Sequence, residues 1–290
     1  MAHMEQYYLS STDINILIEL SSKEMEVSSI VSLSGLSRPT ISDSISKLSD
    51  MGLISQKKVG RIKLIKVVNS TLGEKLRSLI IQNPNLDFVK LFEGNGLMIM
   101  TTFIGNGSTM KEIVIKTGLS RRTIIRYLNK WRSMGVVWKS GHGGRYEINR
   151  NYPDLNDFLV ELSKYWLSKT ISEQLDDPLI IFNNGEKVLF VYKGDLDEER
   201  FKPAAYTYLE KKGFNVLSSS KYFQYTRGSE DISTLEAIIQ SIRIDPINPR
   251  PRLIMHEYQR ENDIEKKRLK DLIDEYNIND ILAEEVKGLG

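Results

Sequence analysis

Two stretches of this chain, 83 residues apart, carry one eighteen-residue pattern, and a chain that repeats itself at such a spacing is built from repeated structural units. Residues 35–52 read Gly-Leu-Ser-Arg-Pro-Thr-Ile-Ser-Asp-Ser-Ile-Ser-Lys-Leu-Ser-Asp-Met-Gly, and residues 118–135 read Gly-Leu-Ser-Arg-Arg-Thr-Ile-Ile-Arg-Tyr-Leu-Asn-Lys-Trp-Arg-Ser-Met-Gly. Nine of the eighteen aligned pairs are identical, where chance gives about one. In each copy a glycine closes one helix and a serine caps the next. Ile41, Ile45 and Leu48, or Ile124, Leu128 and Trp131, then recur at i, i+4, i+7 and form one buried face.

The outward faces differ. In the second copy Arg122, Arg126 and Asn129 point away from the core residues, with Thr123 and Lys130 alongside, a surface suited to a DNA major groove. Standing alone it would read as the solvated face of an ordinary amphipathic helix; the recurrence argues for more. The first copy presents Pro39, Asp43, Ser46 and Asp50. Aspartate repels phosphates, although it can accept a hydrogen bond from cytosine N4.

Around each copy the same grammar continues. Thr12 to Leu20 forms a first helix with Ser11 or Thr12 as N-cap, Val27, Ile30 and Val31 mark a second, and residues 53–68 alternate about a glycine turn as a β-hairpin does. Downstream, Leu97, Met100 and Phe103 match Ile14, Leu17 and Leu20, and Thr109 with Glu112 makes a capping box. A glycine-rich hairpin at 136–148 follows, whose three glycines let backbone approach a phosphate closely. Three helices and a hairpin make a winged helix, and both modules resemble the winged helix-turn-helix domains of ArsR-like and MarR-like prokaryotic transcription regulators, archaeal ones included. The Leu-Ser-Arg-x-Thr-Ile pattern, the hydrophobic helix, Met-Gly and the basic hairpin carry the resemblance, which covers about half the chain. It implies that the third helix enters the major groove and the hairpin, or wing, grips the backbone. The candidate DNA contacts are then Arg38, Thr40, Ser46 and Lys47 with wing residues Lys57, Lys58, Arg61 and Lys63 in the first module. In the second they are Arg121, Arg122, Thr123, Arg126, Asn129 and Lys130 with wing residues Lys139, His142 and Arg145. His142 lacks the cysteines or carboxylates of a metal site, leaving a groove contact or a plain turn residue. Trp131 and Trp138 read as packing residues.

Charge follows the same division. Residues 1–150 carry +9 and the remainder −7, as expected of a nucleic-acid-binding half joined to a domain with another task. The absence of cysteine excludes disulfides, Cys-ligated zinc and thiol catalysis and suits a cytoplasmic setting. No apolar run is long enough to span a membrane. Met1 to Met4 read as a cloning scar with a native start at Met4.

The expected architecture is α+β: a first winged helix at 5–70, a linker helix region at 71–93 holding Leu72, Leu76, Leu79 and Ile80, a second winged helix at 94–150, and an α+β C-terminal domain at 151–290. That last domain opens with a helix bearing Leu155, Phe158, Leu159, Leu162, Tyr165 and Trp166, a face for docking, for dimerisation or for its own domain's core. A hairpin at 179–192 turning at Asn183-Asn184-Gly185, a helix at 203–212, strands at 214–217 and 222–226, a capped helix after Ser233, a stiff loop at 245–252 and a final helix through Ile264 to Tyr276 complete it. The hydrophobic hairpin, the segment 204–214, the aromatic strand 222–225 and Glu230-Asp231 resemble more loosely the C-terminal domain of winged-helix proteins related to abortive-infection type IV antitoxins. That likeness implies a protein partner such as a nucleotidyltransferase-like toxin.

No phosphate-binding, dinucleotide, zinc-protease or nucleophile-elbow motif is present, and no catalytic residue, metal or cofactor is assigned. The reading is a sequence-specific regulator of transcription that binds double-stranded DNA, chiefly through its second module. If it forms a homodimer, its equivalent half-sites would lie about 34–36 Å apart or a multiple of that. The alternative is an antitoxin-like or assembly protein.

Overall fold

The computed structural model describes residues 7–60, 62–141, 144–228, 231–261 and 266–282. These fall into two compact units, Met1–Trp166 and Leu167–Gly290.

The first unit opens with α1 (Ser11–Ser22), β1 (Met25–Glu26), α2 (Val27–Ser34), α3 (Arg38–Asp50) and the hairpin β2 (Ile54–Val59) and β3 (Ile62–Val67). It continues with α4 (Thr71–Gln82), α5 (Phe88–Phe92), α6 (Gly96–Met100), a 3-10 turn at Thr101–Phe103, α7 (Met110–Thr117), α8 (Arg121–Ser133), the hairpin β4 (Val137–Lys139) and β5 (Tyr146–Ile148), and α9 (Pro153–Ser172). Helix α1 is capped one residue earlier than the sequence suggests. Ser10 and Asp13 exchange backbone and side-chain hydrogen bonds, a reciprocal pair that outcompetes Ser11 and Thr12.

The sequence repeat is a structural repeat to the residue. Helices α2 and α7, and α3 and α8, begin and end 83 residues apart. The signals that set those limits recur too. Gly35 and Gly118 both sit in the left-handed region and donate to Val31 and Val114, while Ser37 and Ser120 both accept from the amide three residues on. Gly52 and Gly135 turn each chain out of the helix at φ +74° and +70°. At Gly52 a side chain would also run into the ring of Tyr165. In both copies the strand returning from the hairpin pairs with the segment before the second helix, Met25 with Ile65 and Ser108 with Tyr146.

One core serves the whole unit. It runs from Leu9 through Ile41, Ile45 and Leu48 to Ile124, Leu128, Trp131, Leu159 and Trp166. Leu72, Leu76 and Leu79 are buried in it, so α4 is a core element as well as a connection. Helix α9, expected at the head of the C-terminal domain, also gives this core Leu155, Phe158 and Leu162, while Lys75 and Ser78 of α4 bond Asp157 and Asp154 of α9. The apolar face read as a docking or dimerisation surface is spent inside the first unit.

The second unit comprises the end of α9 from Leu167, β6 (Leu179–Asn183), β7 (Lys187–Val191), β8 (Lys202–Pro203), α10 (Ala205–Lys211), β9 (Tyr222–Thr226), α11 (Thr234–Ile244), α12 (Pro249–Glu261) and α13 (Lys266–Glu275). Its antiparallel sheet has the order β6-β7-β9-β8. Alternation along β7 serves two cores: Leu189 packs with Ile238, Leu272 and Ile273, whereas Val188 and Phe190 pack with Leu167, Ile171 and Phe223.

Two expectations fail here. Residues 214–217 form no strand; Val216 donates to Phe214 in a tight turn, and Leu217 projects into solvent. The expected loop at 245–252 is a helix from Pro249, because prolines in a first turn lose no intrahelical bond. Its arginines are engaged within the unit, Arg250 on the Asn215 carbonyl and Arg252 on those of Pro246 and Ile281. Ile264 and Glu230 lie outside the described residues, and Asp231 pairs with Lys202.

A buried polar chain ties this unit together. Gln240 accepts from the amide of Ala205, a residue at φ 45°, and donates to Gln224 and to the Tyr276 hydroxyl. Tyr276 donates to Glu236, which with Glu275 holds Lys187 at 2.8 and 2.9 Å. Burial works against the charge on Lys187, but the two carboxylates raise its pKa above the ordinary lysine value; burial pushes Tyr276 well above that of a free tyrosine. Every member has a partner, which marks the chain as structural.

Candidate nucleic-acid interface

Helix α8 is held from its inner side by bonds that α3 lacks. Trp131 donates to the carbonyl of Leu91 at 3.1 Å; the Tyr127 hydroxyl donates to that of Glu93 and accepts from the amide of Asn95. These tether α8 to the segment of α5 and α6, fixing its rotation about its own axis. The outer side is therefore presented in one orientation. Arg121, Arg122, Arg126 and Asn129 are exposed, Thr123 and Lys130 are half-buried, and the Arg126 guanidinium lies 5.6 Å from the Tyr127 ring centroid. The Thr123 hydroxyl shares its cap with Ser120 at 2.9 Å. Five cations and no carboxylate occupy this helix.

The corresponding helix of the first copy has a different balance. Arg38, Thr40 and Ser46 are exposed on α3, yet so are Asp43 and Asp50, and the helix is neutral overall. Lys47 forms an ion pair with Asp13, whose side chain is fully buried, so this lysine holds α3 to α1 instead of facing a ligand. The assignment of Lys47 to DNA overlooked that partner, which no local spacing reveals.

Residues 10–56 match the family model of bacterial regulatory proteins of the arsR family. The match begins at the cap of α1 and ends inside the first hairpin, so it takes in α1, α2 and α3. It supports DNA binding and regulation of transcription through a helix-turn-helix. No curated protein matches the chain. No helix among the described residues is long and apolar enough to cross a membrane.

The two hairpins differ as the helices do. In the first, Lys57, Lys58 and Lys63 are exposed, and Lys58 stands directly across the ladder from Lys63. Like charges so placed repel, and a phosphate between them relieves the repulsion. Arg61 lies outside the described residues, as does His142 in the second hairpin. There Lys139 is exposed near the Tyr146 ring, whereas Arg145 is committed: it forks onto both Glu112 oxygens at 3.2 and 2.8 Å and caps the carbonyls of Asn106 and Gly107. Arg145 thus locks this hairpin to the start of α7. Glu112 was read as a capping residue; its second task, holding Arg145, explains why that arginine is not free. Trp138, read as packing, is 42% exposed on the outer side of β4. Sequence reasoning also passed over Arg132 and Ile125, both exposed on α8; the signal was available in the helical wheel, on the strip beside Arg122.

Proposed function

We propose that the chain is a sequence-specific double-stranded-DNA-binding regulator of transcription whose first 150 residues form two tandem winged helices, with base readout made mainly by the second. The observation that carries this reading is the pair of repeated helices: between the same capping signals, α8 carries five cations and no carboxylate while α3 is neutral. Arg122, Arg126 and Asn129 suit base edges, since arginine pairs with guanine and asparagine with adenine in the major groove. Lys57, Lys58 and Lys63 suit phosphates, which fix register without reading sequence. Arg121, Arg38, Lys130 and Lys139 add backbone contacts at the margins. Regulation follows from occupancy of the DNA, by occlusion or recruitment. A homodimer joined outside the first unit's buried α9 face would place four such modules on a pseudo-palindromic site.

Enrichment of a random duplex pool on the full chain tests this. A defined sequence should emerge, and Arg122→Ala and Arg126→Ala should each bind it more weakly while binding random duplex nearly as wild type does. Equal losses on both duplexes would contradict base readout.

A further inference from the structure

Ile125 is the exposed apolar residue within the polar strip of α8, at 40% of its full accessibility. Its neighbours at i−4, i−3 and i+4 are Arg121, Arg122 and Asn129, all exposed. A single exposed isoleucine is ordinary on a protein surface. This one is set among the groups best suited to base edges, on a helix whose rotation is fixed by Trp131 and Tyr127. At the equivalent position of the first copy, on the neutral helix, stands Ser42. A groove offers one apolar group at its base edges, the 5-methyl of thymine.

We propose that Ile125 packs on the methyl group of a thymine beside the purines met by Arg122 and Asn129, making it a specificity-determining residue of the second module. The inference rests on the base-reading role given to α8 above. The arginine and asparagine recognise their bases by hydrogen bonds, whereas Ile125 recognises a methyl by excluding water from it. Cytosine at that position lacks the methyl and leaves the isoleucine facing solvent. The first module, with a serine there, has no such preference.

Replacing thymine by deoxyuridine removes the methyl and leaves every hydrogen-bonding group in place. In the duplex enriched on the full chain, each thymine is replaced in turn, and affinities are measured for wild type, Ile125→Val, Ile125→Ala and Ile125→Ser, with circular dichroism melting to establish that each variant is folded. At one thymine, deoxyuridine should weaken wild-type binding about fourfold, the change expected on losing one buried methyl-sized group. Ile125→Ala and Ile125→Ser should bind the two duplexes equally, and Ile125→Val should keep part of the difference. If no thymine responds, or if Ile125→Ala keeps the full penalty, the assignment to Ile125 is wrong while base readout by α8 stands. If no sequence is enriched at all, both fall together.

Discussion

The two copies of the repeat share the limits of their second and third helices and differ in what holds each third helix from within. In the first, Lys47 reaches inward to buried Asp13; in the second, the anchoring passes to Tyr127 and Trp131. An ionic anchor consumes a cation that the helix could have presented outward. Hydrogen bonds from aromatic side chains leave Arg121, Arg122, Arg126 and Arg132 exposed on α8. The contrast teaches that identical residues at matched positions need not share a task, because the task is set by the neighbouring helix.

The largest effect expected from this contrast concerns stability. Lys47→Ala leaves Asp13 buried without its cation and should destabilise the first unit by about 3 kcal/mol, seen as a lower urea midpoint. Lys130→Ala, by contrast, should stay within about 0.5 kcal/mol of wild type. Equal destabilisation by the two would erase the distinction. For DNA, Arg126→Ala should cost about 1–3 kcal/mol on the preferred duplex and relax selectivity at one base pair. Lys57→Ala on the first hairpin should weaken all duplexes alike and lower the salt slope by roughly 1, read from affinities across a salt series. The smallest change should come from Asp43→Ala, the counterpart of Arg126: removing a carboxylate from α3 should tighten binding to every duplex by a few tenths of a kcal/mol, on the order of other exposed charge changes. Weaker binding by that variant would indicate that Asp43 meets a base donor.

The limits of the repeated helices were legible in the sequence because local chemistry sets them: serine caps, closing glycines and capping-box pairs act within three or four residues. The outward set on α8 was legible for the same reason, by periodicity alone. What escaped depends on contacts distant in sequence. Lys47 needs Asp13, Arg145 needs Glu112, and the destination of the α9 face is decided by α4 and the shared core. In the second unit, aromatic and β-branched content at 214–217 suggested a strand, but no edge among the described residues pairs with it and a turn takes its place.

The most direct measurement is fluorescence anisotropy of the full chain on its enriched duplex and on a scrambled one, across a salt series, with Arg126→Ala beside wild type. The account predicts that wild type prefers the enriched duplex, that its affinity falls steeply with salt on both, and that the variant loses part of the preference, about 1–3 kcal/mol, while keeping most of the salt-dependent part. A variant that keeps the full preference would contradict the assignment of base readout to the second module.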